Sequence, residues 1–315
     1  MLSTSTRHEW TAPDGARFPY SVWDGGEAGA QASTPSRARL RPRALLVCVH
    51  GLSGAAVDFE PLGAHFLSHD ILTYALELRG QGSDPDTQRR GDLAKIEDWY
   101  ADLSAFFAMV RQQHPGMPVY LYGESMGAAL LVRFLAQARA EELPAGLILA
   151  SPVVAIGTPP SWLKRQLFRF VNWLNPVHRV NLRKAIERDR DNPAKWVTRN
   201  EEHRLWFQTA PHRIESFTVR FFLNLYDLIA GCGDAAPLLT TPVLVAYAAN
   251  DIFIPPAMVE EFFAHLGSRD KELLFFPESY HLLLHDEDQA EVLAQMERWL
   301  AGRMGGEGAP SGLTA

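Results

Sequence analysis

Six short apolar runs recur along this chain, and helical patterns separate them. The runs are Ala44–Val49, Ile71–Leu78, Val119–Tyr122, Leu147–Ala150, Val243–Ala248 and Leu273–Phe276. Short and almost continuously apolar, each suits a strand of a parallel sheet buried on both faces. Between them, Phe59–Ser68, Ile96–Gln113, Met126–Ala140, Pro256–Leu266 and Glu287–Leu300 carry apolar residues at helical spacing. Strand, helix, strand, repeated, predicts a doubly wound, mostly parallel α/β sheet. Crossovers of this kind gather the loops that follow the strands along one edge, where ligands bind. Ahead of this rhythm, Arg7–Thr11 and Arg17–Trp23 flank Asp14-Gly15, a strong turn signal, and read as a hairpin.

One segment breaks the rhythm. From Ser151 to about Leu239 no run resembles a buried strand, and several resemble helices. Ser161 can cap a helix over Trp162–Leu174, bounded by Pro159-Pro160 and Asn175-Pro176. A second helical pattern joins Ile214, Phe217, Phe221, Leu225, Leu228 and Ile229. The expected organisation is therefore a core in two parts, residues 1–150 and 240–302, with a helical cap over 151–239 inserted between them. Asp24–Pro42, rich in Gly, Ala, Ser and Pro, reads as a mobile surface loop, and the tail beyond Gly302 as flexible.

The 315 residues, 47% hydrophobic and 21% charged, are ordinary for a folded protein. A net charge of −7 with no basic stripe argues against a nucleic-acid partner. Two cysteines cannot build a disulfide framework, and Cys48 lies inside an apolar run. Met1 to Trp10 carries no apolar core of a secretory signal. No stretch approaches the roughly 18 apolar residues of a membrane span. A cytoplasmic protein is expected.

Gly123-Glu124-Ser125-Met126-Gly127 is a G-x-S-x-G pentapeptide. Alone it is a weak signal. Its place between the strand Val119–Tyr122 and the helical pattern from Ala128 is the strand-turn-helix setting of a nucleophile elbow, with the Ser125 hydroxyl exposed at a tight turn. A serine hydroxyl attacks poorly until a base takes its proton. Of eleven histidines, His281 follows the last apolar run on a strand-end loop, whereas His285 is expected to enter the last helix and His8 and His203 to lie on the surface. Asp251 follows Val243–Ala248 on the same edge and can accept from the histidine Nδ1. The order Ser, Asp, His along the chain is the order of this fold. For the oxyanion of a tetrahedral intermediate, Met126 can offer one backbone N–H and Leu52, in His50-Gly51-Leu52-Ser53-Gly54, the other. His50 is expected to brace that loop. Such a triad needs no metal, and no cofactor fingerprint is present.

Together, His50-Gly51-Leu52, Leu78-Arg79-Gly80-Gln81-Gly82-Ser83, the Ser125 pentapeptide, Asp251 and Tyr280-His281 resemble the monoacylglycerol lipase/lysophospholipase branch of the α/β hydrolases, over roughly residues 7 to 301. Three positions depart from that branch: Glu77 stands for its aspartate, Gln81 for its histidine and Asn250 for its glycine. The resemblance implies hydrolysis of a small lipid ester, a monoacylglycerol or lysophospholipid, through an acyl-enzyme. Alternatives are a general carboxylesterase or thioesterase and, from another class, a ligand-binding protein on a hydrolase scaffold. In the cap, Trp162, Leu167 and Phe170 are candidate substrate-binding residues. The helix that carries them is expected either to pack its apolar face on the core or acyl pocket, or to turn it outward onto lipid aggregates. The sequence leaves the oligomeric state open.

Overall fold

A computed structural model describes residues 5–25, 42–181 and 196–304. Most of the Asp24–Pro42 loop and the tail from residue 305 lie outside these described residues. The strands are β1 (Thr6–Thr11), β2 (Arg17–Trp23), β3 (Ala44–Val49), β4 (Ile71–Leu76), β5 (Val119–Glu124), β6 (Gly146–Ala150), β7 (Arg179–Asn181), β8 (Ser216–Thr218), β9 (Val243–Ala248) and β10 (Lys271–Phe276). The principal helices are α1 (Glu60–Leu67), α2 (Ile96–Gln113), α3 (Met126–Leu135), α4 (Trp162–Leu174), α5 (Glu201–Thr209), α6 (Val219–Ala230), α7 (Pro256–His265) and α8 (Gln289–Met304).

Eight strands form one sheet in the order β1-β2-β4-β3-β5-β6-β9-β10. From β4 to β10 every pairing is parallel, and the β1–β2 hairpin adds an antiparallel edge. The chain has the doubly wound, mostly parallel fold that its apolar rhythm predicts. Burial explains that rhythm: along β3, Leu45, Val47 and Val49 enter the core on one face and Ala44, Leu46 and Cys48 the core on the other. No position of such a strand meets water, so none is polar. Leu62, Phe66, Met296 and Trp299 of α1 and α8 cover one face. Trp99 and Phe106 of α2, Leu130 of α3 and Phe221 of α6 cover the other.

Several boundaries differ from the sequence expectation. The last helix runs to Met304, so Arg303 and Met304 are helical rather than the start of a flexible tail. Arg303 holds that turn, stacking 4.2 Å from the Trp299 ring and pairing with Asp270. α3 stops at Leu135, short of the expected Ala140. Ile214 and Phe217 precede α6 instead of sharing it. Thr218 accepts the Phe221 N–H at 3.1 Å and so fixes the helix start after Phe217, which lies on β8.

Between β6 and β9, the described residues hold α4, α5, α6 and the small β7–β8 pair, none of which joins the large sheet. Asp92, in the loop after β4, accepts from Thr218 Oγ1 at 2.6 Å and from Arg220 Nε at 2.6 Å, and so ties this insertion to the core.

Candidate active site

β5 ends at Glu124 and α3 begins at Met126, which leaves Ser125 as the whole turn. Its backbone sits at φ 55, ψ −117, a region that favours glycine. The flanking glycines are a steric requirement: a Cβ on Gly127 would stand 2.2 Å from the Val49 carbonyl oxygen, and one on Gly123 2.7 Å from Ala128 Cα. Gly51 also lies against the turn, since its Cβ would fall 3.1 Å from Ser125 Cβ.

His281 and Asp251 follow β10 and β9 on the same sheet edge. His281 Nε2 lies 2.9 Å from Ser125 Oγ, and His281 Nδ1 2.7 Å from Asp251 Oδ2. Because a carboxylate only accepts, the ring proton belongs on Nδ1, and the Nε2 lone pair faces the serine hydroxyl. Asp251 is itself fixed, its Oδ1 accepting the Phe253 N–H at 2.8 Å and the Ile254 N–H at 3.3 Å. Phe253 packs edge-on against the imidazole, centroids 4.6 Å apart. Serine, base and carboxylate in this series can carry out acyl transfer.

Met126 is the first residue of α3, where a backbone N–H has no intrahelical acceptor. The loop bearing Leu52 is held from below. His50 contacts the Gly51 carbonyl through Nδ1 at 2.9 Å and accepts the Leu78 N–H on Nε2 at 3.1 Å, which makes it a brace as expected. Burial lowers its pKa, against the opposing charge of Glu77. Glu77 accepts the Ala56 N–H at 3.1 Å, and Gln81 accepts the Ser53 N–H at 3.0 Å. Two residues that depart from the branch pattern therefore support the Leu52 loop. The third, Asn250, links the two loops behind the triad: its N–H reaches the Ser279 carbonyl at 3.2 Å, and its Nδ2 lies 3.3–3.4 Å from the carbonyls of Pro277, Glu278 and Ser279.

Sequence reasoning missed a further support. Asp286, buried, accepts the Tyr280 N–H at 2.7 Å and Arg199 Nε at 3.0 Å, while Arg199 also reaches Asp288 at 2.8 Å. The residue beside His281 is thus pinned by Asp286, which an arginine from the insertion holds in turn, a long-range link with no local signal. Two histidines fall elsewhere than expected. His285 ends a short turn ahead of α8 and is buried, and His203 stacks on it at 3.7 Å instead of lying free on the surface. Glu124, beside Ser125, is buried with its Oε1 unpartnered, and burial pushes its carboxyl up to about 7.

Of the cap candidates, Trp162 is 72% exposed, Leu167 60% and Phe170 53%, and no residue of α4 is buried. An open groove of about 960 Å³ is lined by residues including Tyr20, Glu77, Trp206 and His212, and none of Ser125, Asp251 or His281 lines it. Among the described residues, the group with metal-ligand spacing is His65, His69 and Glu297, on other elements. No helix among them is long and apolar enough to cross a membrane.

Residues 40–288 match the family model described as serine aminopeptidase, S33. The chain is 24% identical over 306 residues to the monoacylglycerol lipase of Mycolicibacterium smegmatis, spanning 96% of this chain and 100% of that protein. It is 23% identical over 253 residues to the phospholipase YtpA of Bacillus subtilis, spanning 80% and 93%. A crystal structure of a soluble variant of monoglyceride lipase from Saccharomyces cerevisiae, in complex with a substrate analog, superposes with a TM-score of 0.76 at 18% identity, covering 96% and 97%.

Proposed function

The chain belongs to the serine aminopeptidase S33 family of α/β hydrolases, and on that premise we propose that it hydrolyses monoacylglycerols, with Ser125 as nucleophile, His281 as general base and Asp251 orienting the histidine. The observation that carries this reading is the unbroken series Asp251 Oδ2–His281 Nδ1 at 2.7 Å and His281 Nε2–Ser125 Oγ at 2.9 Å. The substrate class rests on the full-length likeness to a monoacylglycerol lipase.

Ser125 Oγ attacks the ester carbonyl as its proton passes to His281 Nε2, and Asp251 stabilises the imidazolium. The carbonyl oxygen, now negative, takes hydrogen bonds from the Met126 and Leu52 N–H groups. Collapse breaks the bond to glycerol, whose oxygen takes the proton back from Nε2 and leaves the acyl group on Ser125. Water repeats the sequence and releases the fatty acid. In this reading the described part of the insertion between β6 and β9 acts as a cap over this site. A lysophospholipid is the second reading, favoured by the likeness to a phospholipase.

Each buried CH₂ of an acyl chain contributes about 0.8 kcal/mol in an apolar site. Across p-nitrophenyl and monoacylglycerol esters, kcat/KM should therefore rise from acetyl to at least octanoyl. A steady decline from acetyl upward removes the lipid substrate and leaves a general esterase. A fluorophosphonate probe should label Ser125 and spare Ser125→Ala; labelling elsewhere overturns the nucleophile.

The cap helix adds a docking role. α4 turns Trp162, Leu163, Phe170 and Trp173 to solvent, while Lys164 and Arg169 are exposed beside them. Apolar anchors flanked by cations suit the surface of an anionic lipid aggregate.

A further inference from the structure

His65 stands in the last turn of α1 and His69 four residues on, in the turn that follows, a spacing that puts both on one side. Glu297 of α8 faces them. His65 Nε2 lies 3.2 Å from Glu297 Oε2, and His69 Nδ1 lies 3.1 Å from Glu297 Oε1, so the imidazoles share one carboxylate, each on its own oxygen. The two rings are 4.8 Å apart between centroids, and the three donor groups all come within 4.8 Å of one another. All three side chains are half-buried, open enough for an ion to enter.

We infer that His65, His69 and Glu297 form a binding site for one divalent transition-metal ion, zinc by preference, which clamps α1 to α8. Two imidazole nitrogens and a carboxylate are the donor set of zinc; magnesium and calcium take oxygen ligands. Zinc–nitrogen bonds of about 2.0–2.1 Å place tetrahedral donors roughly 3.3 Å apart, close to the two nitrogen–oxygen separations already present. The remaining closure is a rotation of two side chains that are not locked in the core, and water completes the four ligands. Without metal, His65 Nε2 is within hydrogen-bond geometry of the carboxylate, while His69 Nδ1 stands 3.1 Å from its other oxygen. On binding, a proton on a liganding nitrogen moves to the ring's other nitrogen, and the freed lone pair takes the ion, with no net proton loss from a neutral ring. A helix–helix hydrogen bond needs one imidazole; two converge on this carboxylate. None of these residues is part of the triad or its oxyanion donors, so the site stands apart from the hydrolase reading.

Calorimetric titration of the full chain with ZnCl₂ at pH 7.5 tests this, with thermal unfolding in parallel. The expected result is one zinc per chain and a Tm several degrees higher, because an ion that binds only the folded state stabilises it by mass action. MgCl₂ should give neither. His69→Gln and Glu297→Gln should weaken zinc binding by more than the roughly 10–100-fold that loss of an outer-shell partner costs. Both should stay folded by circular dichroism and retain ester hydrolysis, and Glu297→His should restore binding. His281→Ala should leave the isotherm unchanged. Absence of zinc binding to the wild type, or equal affinity in His69→Gln, overturns the site.

Discussion

At Ser125, the backbone is held at φ 55, a conformation that costs a non-glycine residue on the order of 1–3 kcal/mol. That strain holds Oγ toward His281, and it separates two substitutions. Ser125→Ala should lower kcat by roughly 10⁶-fold and keep the strain. Ser125→Gly should be equally inactive but melt higher than Ser125→Ala, by about 1 kcal/mol; the reverse order in calorimetry would deny the strain. Glu124 offers a pH test. Burial raises its carboxyl from 4.5 to about 7. A carboxyl raised in the fold stabilises it below the unfolded value and loses that contribution as pH rises through about 7. Between pH 4.5 and 7 the wild type should therefore lose on the order of 3 kcal/mol that Glu124→Gln does not lose. Parallel Tm–pH curves for the two proteins would sink this. Asn250 holds the Asp251 loop to the His281 loop through carbonyls of Pro277, Glu278 and Ser279. Asn250→Ala should lower kcat by up to about 10²-fold through misplacement of the imidazole, with KM little changed. A change confined to KM would mean Asn250 contacts substrate instead.

Among the elements, α4 departs most from the rule for amphipathic helices. Its N-cap is legible in the sequence, and Ser161 accepts the Lys164 N–H at 3.4 Å. Its length is legible too, between prolines on either side. Its orientation is not. The 3.6-residue stripe predicts that an apolar face exists, yet the side turned to the protein carries Arg165, stacked 4.8 Å from the Tyr226 ring. The apolar side stays in water. Trp162, Leu163, Leu167, Phe170, Trp173 and Leu174 are all exposed on this one helix, and the proposed docking role is testable there. Replacing Trp162 and Phe168 with serine should abolish co-sedimentation with phosphatidylglycerol vesicles and leave turnover of a soluble ester intact. Loss of soluble turnover, or a large fall in Tm, would mean that these rings pack within the folded protein instead.

Over the whole molecule, the insertion is fastened to the core next to His281. Arg199 bridges Asp286 and Asp288, and His203 of α5 stacks on buried His285 at 3.7 Å with the rings nearly parallel, 4° apart. Burial, then the charge of His285, lowers His203 to about 3, and burial lowers His285. With both folded values below the unfolded 6.5, the unfolded chain takes up protons first, so stability is lost as pH falls from about 6.5 toward 3. Tm should drop over that range, and His203→Gln should flatten the drop; an unchanged slope would place the acid sensitivity elsewhere. Such links join residues some 80 positions apart in sequence, as Thr198 and His285 also do at 2.7 Å. No local pattern encodes them. The sequence by itself determined the sheet, because strands buried on both faces are nearly continuous in apolar residues, and it determined the turn at Ser125, because glycine alone fits beside Val49 and Ala128. It also put Ser125, Asp251 and His281 on one edge, since parallel strands end together. Only the tertiary structure decided which way α4 faces, how Asn250, Gln81 and Arg199 hold the loops, and that His65, His69 and Glu297 meet. Those outcomes depend on contacts between distant segments, whose free energy appears only when the packed elements bring them within reach.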